Sequence, residues 1–125
     1  MIKQYLSWID IGISAPQPEQ HLIIKKFAKK HNGKITFSDS EDIVNRFKQN
    51  FLLSRLRELP DIDGVVLFST KQFFLRKNFN FDLLNKIINN NFDVLFAREQ
   101  FCFTSENISS MQNELIFLNY LSKVE

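Results

Sequence analysis

The side chains of this 125-residue chain best placed to do chemistry are two carboxylates, Glu41 and Glu99, a set of hydroxyls and amides, Ser7, Ser14, Gln17, Gln20, Ser69 and Gln72, and one guanidinium, Arg98. Two acids in one crevice can divide general-acid and general-base work when burial pushes their pKa values apart. The hydroxyls and amides would orient a ligand rich in hydroxyl groups, and Arg98 an anionic one. The plainer reading makes both acids solvated loop residues, or pairs Glu99 with its neighbour Arg98. Other chemistries find no support. His21 and His31 stand apart from any Cys, Asp or Glu in a metal-ligand pattern, so no metal is expected. Three glycines cannot build a phosphate loop or a dinucleotide fingerprint, and no nucleophile elbow exists, so no cofactor is expected. Cys102, the sole cysteine, lies between Phe101 and Phe103 and reads as a small buried hydrophobe.

These residues are scattered along the chain, and only a parallel sheet would gather them. The run Asp63-Gly64-Val65-Val66-Leu67-Phe68-Ser69 has no polar alternation, which suits a strand covered on both faces. It stops at Ser69 and Thr70. Strands are expected over Tyr5–Ile11, Lys34–Phe37, Asp63–Ser69 and Phe92–Ala97, with a short fifth over Phe101–Phe103. Between the first two, Ser14-Ala15-Pro16-Gln17 matches a capping box, and Ile23, Ile24, Phe27 and Ala28 recur at helical spacing until Asn32-Gly33. A second helix is expected from Ile43, Val44, Phe47, Phe51, Leu52 and Leu56 to Leu59, ended by Pro60. Asn80 caps a third with Leu83, Leu84, Ile87 and Ile88, and Thr104 or Ser105 a fourth with Ile108, Met111, Leu115, Leu118 and Leu121. Residues 70–79 show no period and read as a loop folding over the end of the sheet.

The alternation of strands and helices implies one α/β domain spanning residues 1–125, three layers deep, with a mainly parallel four- or five-stranded sheet of resolvase-like or flavodoxin-like topology. Ligands of such sheets lie outside the carboxyl ends of the strands. Ser7, Glu41, Ser69, Gln72, Arg98 and Glu99 all fall near those ends, and the first helix would aim Ser14, Gln17 and Gln20 at them. The start of that helix would also seat a phosphate or carboxylate.

Composition narrows the partners. A net charge of +2 falls far short of a dedicated nucleic-acid binder, although Lys25, Lys26, Lys29, Lys30 and Lys34 form a local basic cluster. That cluster reads first as a solvated helix face. No apolar run reaches the length of a membrane span and no signal peptide is seen, so a cytoplasmic location is expected.

The chain resembles a family of small bacterial proteins, the sporadic carbohydrate cluster family, encoded beside genes for surface polysaccharide synthesis. The resemblance rests on Tyr5-Leu6-Ser7, Pro16-Gln17-Pro18-Glu19-Gln20, Ser38 to Glu41, Glu58-Leu59-Pro60 leading into Asp63 to Ser69, and Phe96-Ala97-Arg98-Glu99, which together cover nearly the whole chain. It departs at Trp8, where a small polar residue is usual, and at Lys25, which stands where Arg is expected and lacks its bidentate fork. The resemblance implies a role in making or modifying an O-antigen, capsule or related glycan. At the level of the fold the chain is also similar to the catalytic domain of serine recombinases, which begins with Tyr on its first strand and carries a Gln-rich first helix. Recombination needs arginines around the scissile phosphate, and Ser69-Thr70-Lys71-Gln72 supplies none.

The expected function is therefore binding or modification of a sugar or sugar-nucleotide derivative, with Glu41 and Glu99 as the acid–base pair. One alternative is a non-catalytic partner of a neighbouring carbohydrate enzyme, dimeric through its last helix. The other is a degenerate resolvase-like nucleic-acid binder using the first-helix lysines.

Overall fold

The computed structural model describes residues 2–10, 16–41, 50–75, 78–111, 113–114, 116–118 and 120. Its frame is a five-stranded sheet in the order β2-β1-β3-β6-β7, formed by β1 (Lys3–Asp10), β2 (Gly33–Glu41), β3 (Gly64–Leu67), β6 (Asp93–Phe96) and β7 (Phe101–Phe103). The first four are parallel and β7 turns back antiparallel on β6. The short strands β4 (Phe74–Leu75) and β5 (Asn78–Phe79) pair separately.

The central strands behave as their composition requires. All of Gly64–Leu67 and Asp93–Phe96 is buried, which an unalternating apolar run permits only when both faces are covered. Helix α1 (Gln17–Lys30) covers one face through Ile24, Phe27 and Ala28, packed with Tyr5, Ile9, Val66 and Leu95. Helices α2 (Asn50–Glu58) and α3 (Phe81–Asn89) cover the other, where Leu52, Leu56, Leu84 and Ile87 meet Leu6, Trp8, Val65 and Phe96. This gives the expected three layers and mainly parallel sheet. Gly64 allows a close approach, because a Cβ there would collide with the backbone of Asp93 on the neighbouring strand.

Strand β2 carries a bulge. Tyr5 pairs with Ile35 but Leu6 with Phe37, so Thr36 is an extra residue. Side chains two apart in a strand normally share a face, yet Ile35 packs on the α1 side and Phe37 on the α2–α3 side. The bulge also explains why the second strand reads as only Lys34–Phe37. Its alternation breaks in the middle, and it runs on to Glu41.

Several expectations need correction. Helix α1 is capped at Pro16, with no side-chain cap, instead of at Ser14. A cap at Ser14 would need helical angles at Ala15, which the ring of Pro16 disfavours. Within α1, Ile23 is exposed and Gln20 takes the core position, so the buried face is rotated from the one apolar spacing suggests. The helix does stop at the expected Asn32-Gly33, with Asn32, at a φ of 57°, making the left-handed turn. Residues 70–79 are no plain loop: Thr70–Phe73 forms a 3₁₀ turn and β4 and β5 follow. The last helix starts late. Thr104 and Asn107 exchange side-chain and backbone bonds in a series of turns, and the described residues from 113 onward are helical. The start of the expected second helix, residues 43–49, lies outside the described residues. Asn80 caps α3 as expected, accepting from the Leu83 amide at 3.0 Å.

Candidate functional site

The parallel strands end on one rim, and two side chains fasten it. After β3 the chain enters the 3₁₀ turn, which carries Gln72 back beneath the strand end. Its Oε1 accepts from the amides of Phe68 at 2.8 Å and Ser69 at 3.1 Å, while its Nε2 donates to the carbonyl of Trp8 on β1 at 3.0 Å. The primary amide thus replaces a missing rung of the sheet between β1 and β3. Gln72 is 1% exposed. Here the two strands leave for opposite sides of the sheet, the position where open α/β sheets have their crevice.

Glu99 makes the second fastening, between β3 and β6. One oxygen accepts from the Thr70 amide at 3.0 Å, and the other from the hydroxyls of Ser69 at 2.9 Å and Thr70 at 3.0 Å. Ser69 Oγ in turn accepts from the Lys71 amide at 3.2 Å. Three donors fix the carboxylate in one orientation. The turn that presents it begins where the Arg98 amide bonds Phe68 O, so Arg98 sits on the same rim, with its side chain exposed.

A separate cleft of about 270 Å³ lies at the carboxyl ends of β1 and β2, where α1 begins. Its described lining is Ile9, Gln17, His21, Ser38 and Asp39. Gln17 and His21 are one helical turn apart and therefore lie on one side of α1. Asp39 is held from the α2 side by Arg55, at 3.2 Å, and the same guanidinium reaches Glu58 at 3.6 Å. The cleft can offer a ligand an imidazole, an amide, a hydroxyl and a carboxylate over a largely polar surface. The helix start adds less than expected for an anion. Pro18 in the first turn has no N–H to give, and Glu19 already answers the helix dipole.

The structure thus sorts the sequence-derived site residues into groups. Ser69, Gln72 and Glu99 come together at the fastened rim, joined by Thr70. Gln17 belongs to the cleft, whose described lining includes neither Ser69 nor Gln72 nor Glu99. Ser7 and Gln20 are buried between β1 and α1, and the Ser7 hydroxyl has no partner among the described residues. Glu41 closes β2 opposite Asp10, two residues beyond the pair Trp8↔Leu67, and its side chain lies outside the described residues, as does all of Ser14. His21, Ser38 and Asp39 carry the cleft and were not singled out as ligand residues. The signal was present in the i, i+4 spacing of Gln17 and His21 and in the polar end of β2.

The opposite end of the sheet holds a different cluster. Lys3 Nζ meets Asp93 at 2.8 Å, and the Tyr5 hydroxyl donates to the same oxygen at 3.4 Å. The hydrogen bond from Lys3 to Asp93 raises the Lys3 pKa. Burial first, and the Asp93 charge second, raise that of Tyr5. Burial likewise pushes the Cys102 thiol up, and lowers the pKa of His31 at the end of α1. Among the described residues there is no cluster of metal-ligating side chains, and no helix long and apolar enough to cross a membrane. Comparison with protein-family models and with curated proteins gives no match to this chain.

Proposed function

We propose that the protein serves bacterial surface-carbohydrate synthesis in the cytoplasm, binding or modifying a sugar or sugar-nucleotide derivative at the carboxyl rim of its sheet. The observation that carries this reading is the polar cleft between Gln17, His21, Ser38 and Asp39. Its volume sits just below the roughly 300–1,000 Å³ of small-molecule sites, suited to one sugar ring or its charged substituent. Strand order supports the placement. Counted over the sheet strands alone it is 2-1-3-4-5, the flavodoxin-like order with its last member reversed, and such sheets take their ligands on this rim. In this reading Glu41 and Glu99 are the acid–base pair, Glu99 acting from the adjoining rim outside the described lining of the cleft, Ser69 and Gln72 keep the rim in shape, and Arg98 faces an anionic substituent from its edge. The resemblance to the carbohydrate-cluster family points the same way.

The test is a titration of the ¹⁵N-labelled protein with nucleotide sugars and sugar phosphates. Shifts centred on Gln17, His21, Ser38 and Asp39 are expected. Absence of any shift there across both compound classes removes the reading. If binding is found, Glu41→Gln and Glu99→Gln in a reconstituted pathway decide the chemistry, because unchanged turnover in both rules out proton transfer by either.

One observation favours a non-catalytic, dimeric partner instead. Ile116, Phe117 and Tyr120 stand exposed on the last helix, beside a cleft of about 320 Å³ between Phe101, Asn113, Glu114 and Phe117. Light scattering distinguishes this reading, which requires a dimer that Phe117→Asp dissolves.

A further inference from the structure

Helix α1 turns an unusual surface outward. Lys25, Lys26, Lys29 and Lys30 are all exposed on it, against the single acid Glu19. Two large apolar side chains stand among them, Leu22 at 53% and Ile23 at 38% exposure. Ile23 does more than protrude. With Phe27 and Ala97 it forms the apolar part of a groove of about 200 Å³ between α1 and the turn joining β6 to β7, whose other described lining is Lys26, Lys30 and Gln100. Lys30 Nζ spans the groove to Gln100 Oε1 at 3.2 Å, and no acid is among its described lining.

Lys26 and Lys30 are i, i+4 neighbours, so their stems rise from one side of the helix about 6 Å apart. Two ammonium groups carried on such neighbouring stems, over a floor of isoleucine, phenylalanine and alanine, complement a chain that offers carboxylates on either side of one apolar side chain. The geometry points to this groove as a docking site for an acidic protein segment that inserts an apolar anchor between Lys26 and Lys30. A nucleic-acid backbone would meet the lysines but leave the apolar floor without a partner. A flat anionic bilayer would meet Leu22 but could not fill a concave groove. The proposal is independent of the sugar cleft, which has different lining residues.

The experiment uses the full chain and a short fluorescein-labelled peptide of alternating glutamate and leucine, read by anisotropy at low ionic strength. The controls are a glutamate–serine peptide, a DNA duplex and phosphatidylglycerol vesicles. Binding of the glutamate–leucine peptide is expected, weakened about tenfold or more by Lys26→Glu with Lys30→Glu, and only about threefold by Lys25→Glu with Lys29→Glu on the other flank. Amide shifts on titration should centre on Ile23, Phe27, Lys30, Ala97 and Gln100. Circular dichroism confirms that the surface variants stay folded. The proposal is overturned if the glutamate–leucine peptide does not bind, if both double variants weaken it equally, or if any of the three controls binds as tightly.

Discussion

Replacing Gln72 tests whether its amide holds the rim together. Gln72→Leu keeps the approximate volume but strands three backbone groups, the amides of Phe68 and Ser69 and the carbonyl of Trp8. Each buried polar group left without a partner costs about 1–3 kcal/mol, partly offset by burying an apolar side chain instead of an amide, so a net loss of about 3–5 kcal/mol is expected. For a domain of this size that lowers Tm by roughly 10–20 °C. The chain supplies its own probe. Trp8 is the only tryptophan, is buried, and carries the carbonyl that loses its donor, so urea unfolding can be followed by its fluorescence. Gln72→Glu sharpens the test, since a carboxylate still accepts from both amides and fails only towards Trp8. Burial will raise the pKa of the new carboxyl above the roughly 4.3 of an unfolded glutamate. A raised group stabilises the fold below its unfolded pKa and loses that contribution as pH rises through its folded one. The glutamate variant should therefore approach the native stability near pH 4 and fall away towards neutrality. A Gln72→Leu protein within about 0.5 kcal/mol of native would refute the reasoning, because that is the effect of an ordinary surface change.

Other consequences follow from the same geometry. Gly64→Ala should cost about 3 kcal/mol or more, or prevent folding, because the obstacle is the backbone of Asp93 and cannot rotate away; urea denaturation or a failure to express soluble protein reports it. Lys3, Tyr5 and Cys102 all have raised pKa values, so their contributions are intact below the ordinary values of 10.5, 10.0 and 9.0 and lost as pH rises through the higher folded ones. The urea midpoint should fall above about pH 9, less steeply in Tyr5→Phe. Alkylation of Cys102 should be slow in the native protein at pH 8 and fast in urea, since burial disfavours the thiolate. The ring of His31 should titrate below 6.5 by NMR.

What could be read from the chain differs by region for physical reasons. The two central strands were legible because complete burial demands unbroken apolar runs, and α3 because its buried side coincides with its apolar one. The buried face of α1 was not. Apolar spacing favours Ile23 over Gln20, but the way the helix docks on the sheet decides which enters the core, and docking is a tertiary property. Glu99 shows a second limit. Its nearest positive neighbour in sequence is Arg98, yet its partners are hydroxyls and an amide thirty and twenty-nine residues earlier, brought close by the pairing of β3 with β6. That Gln72 follows the third strand is legible in the sequence, whereas its three bonds to β1 and β3 depend on a 3₁₀ turn that no periodicity announces. The phenylalanines of residues 73–79 gave no pattern because a 3₁₀ turn and two-residue strands are too short to repeat one.

The supernumerary Thr36 has an effect that reaches the rim. Past it, the described β2 side chains have exchanged sides, which sends Phe37 and Asp39 towards α2, where Arg55 waits, and leaves Ser38 on the side of α1. Straightening the strand with Thr36 kept in a regular rung would reverse the assignment of Phe37, Ser38 and Asp39, pointing a phenyl ring at α1 and withdrawing the carboxylate from its guanidinium, whereas excising the threonine would leave it unchanged. The polar character of the cleft is thus governed by a counting irregularity some distance below it, in a residue that has no part in its lining.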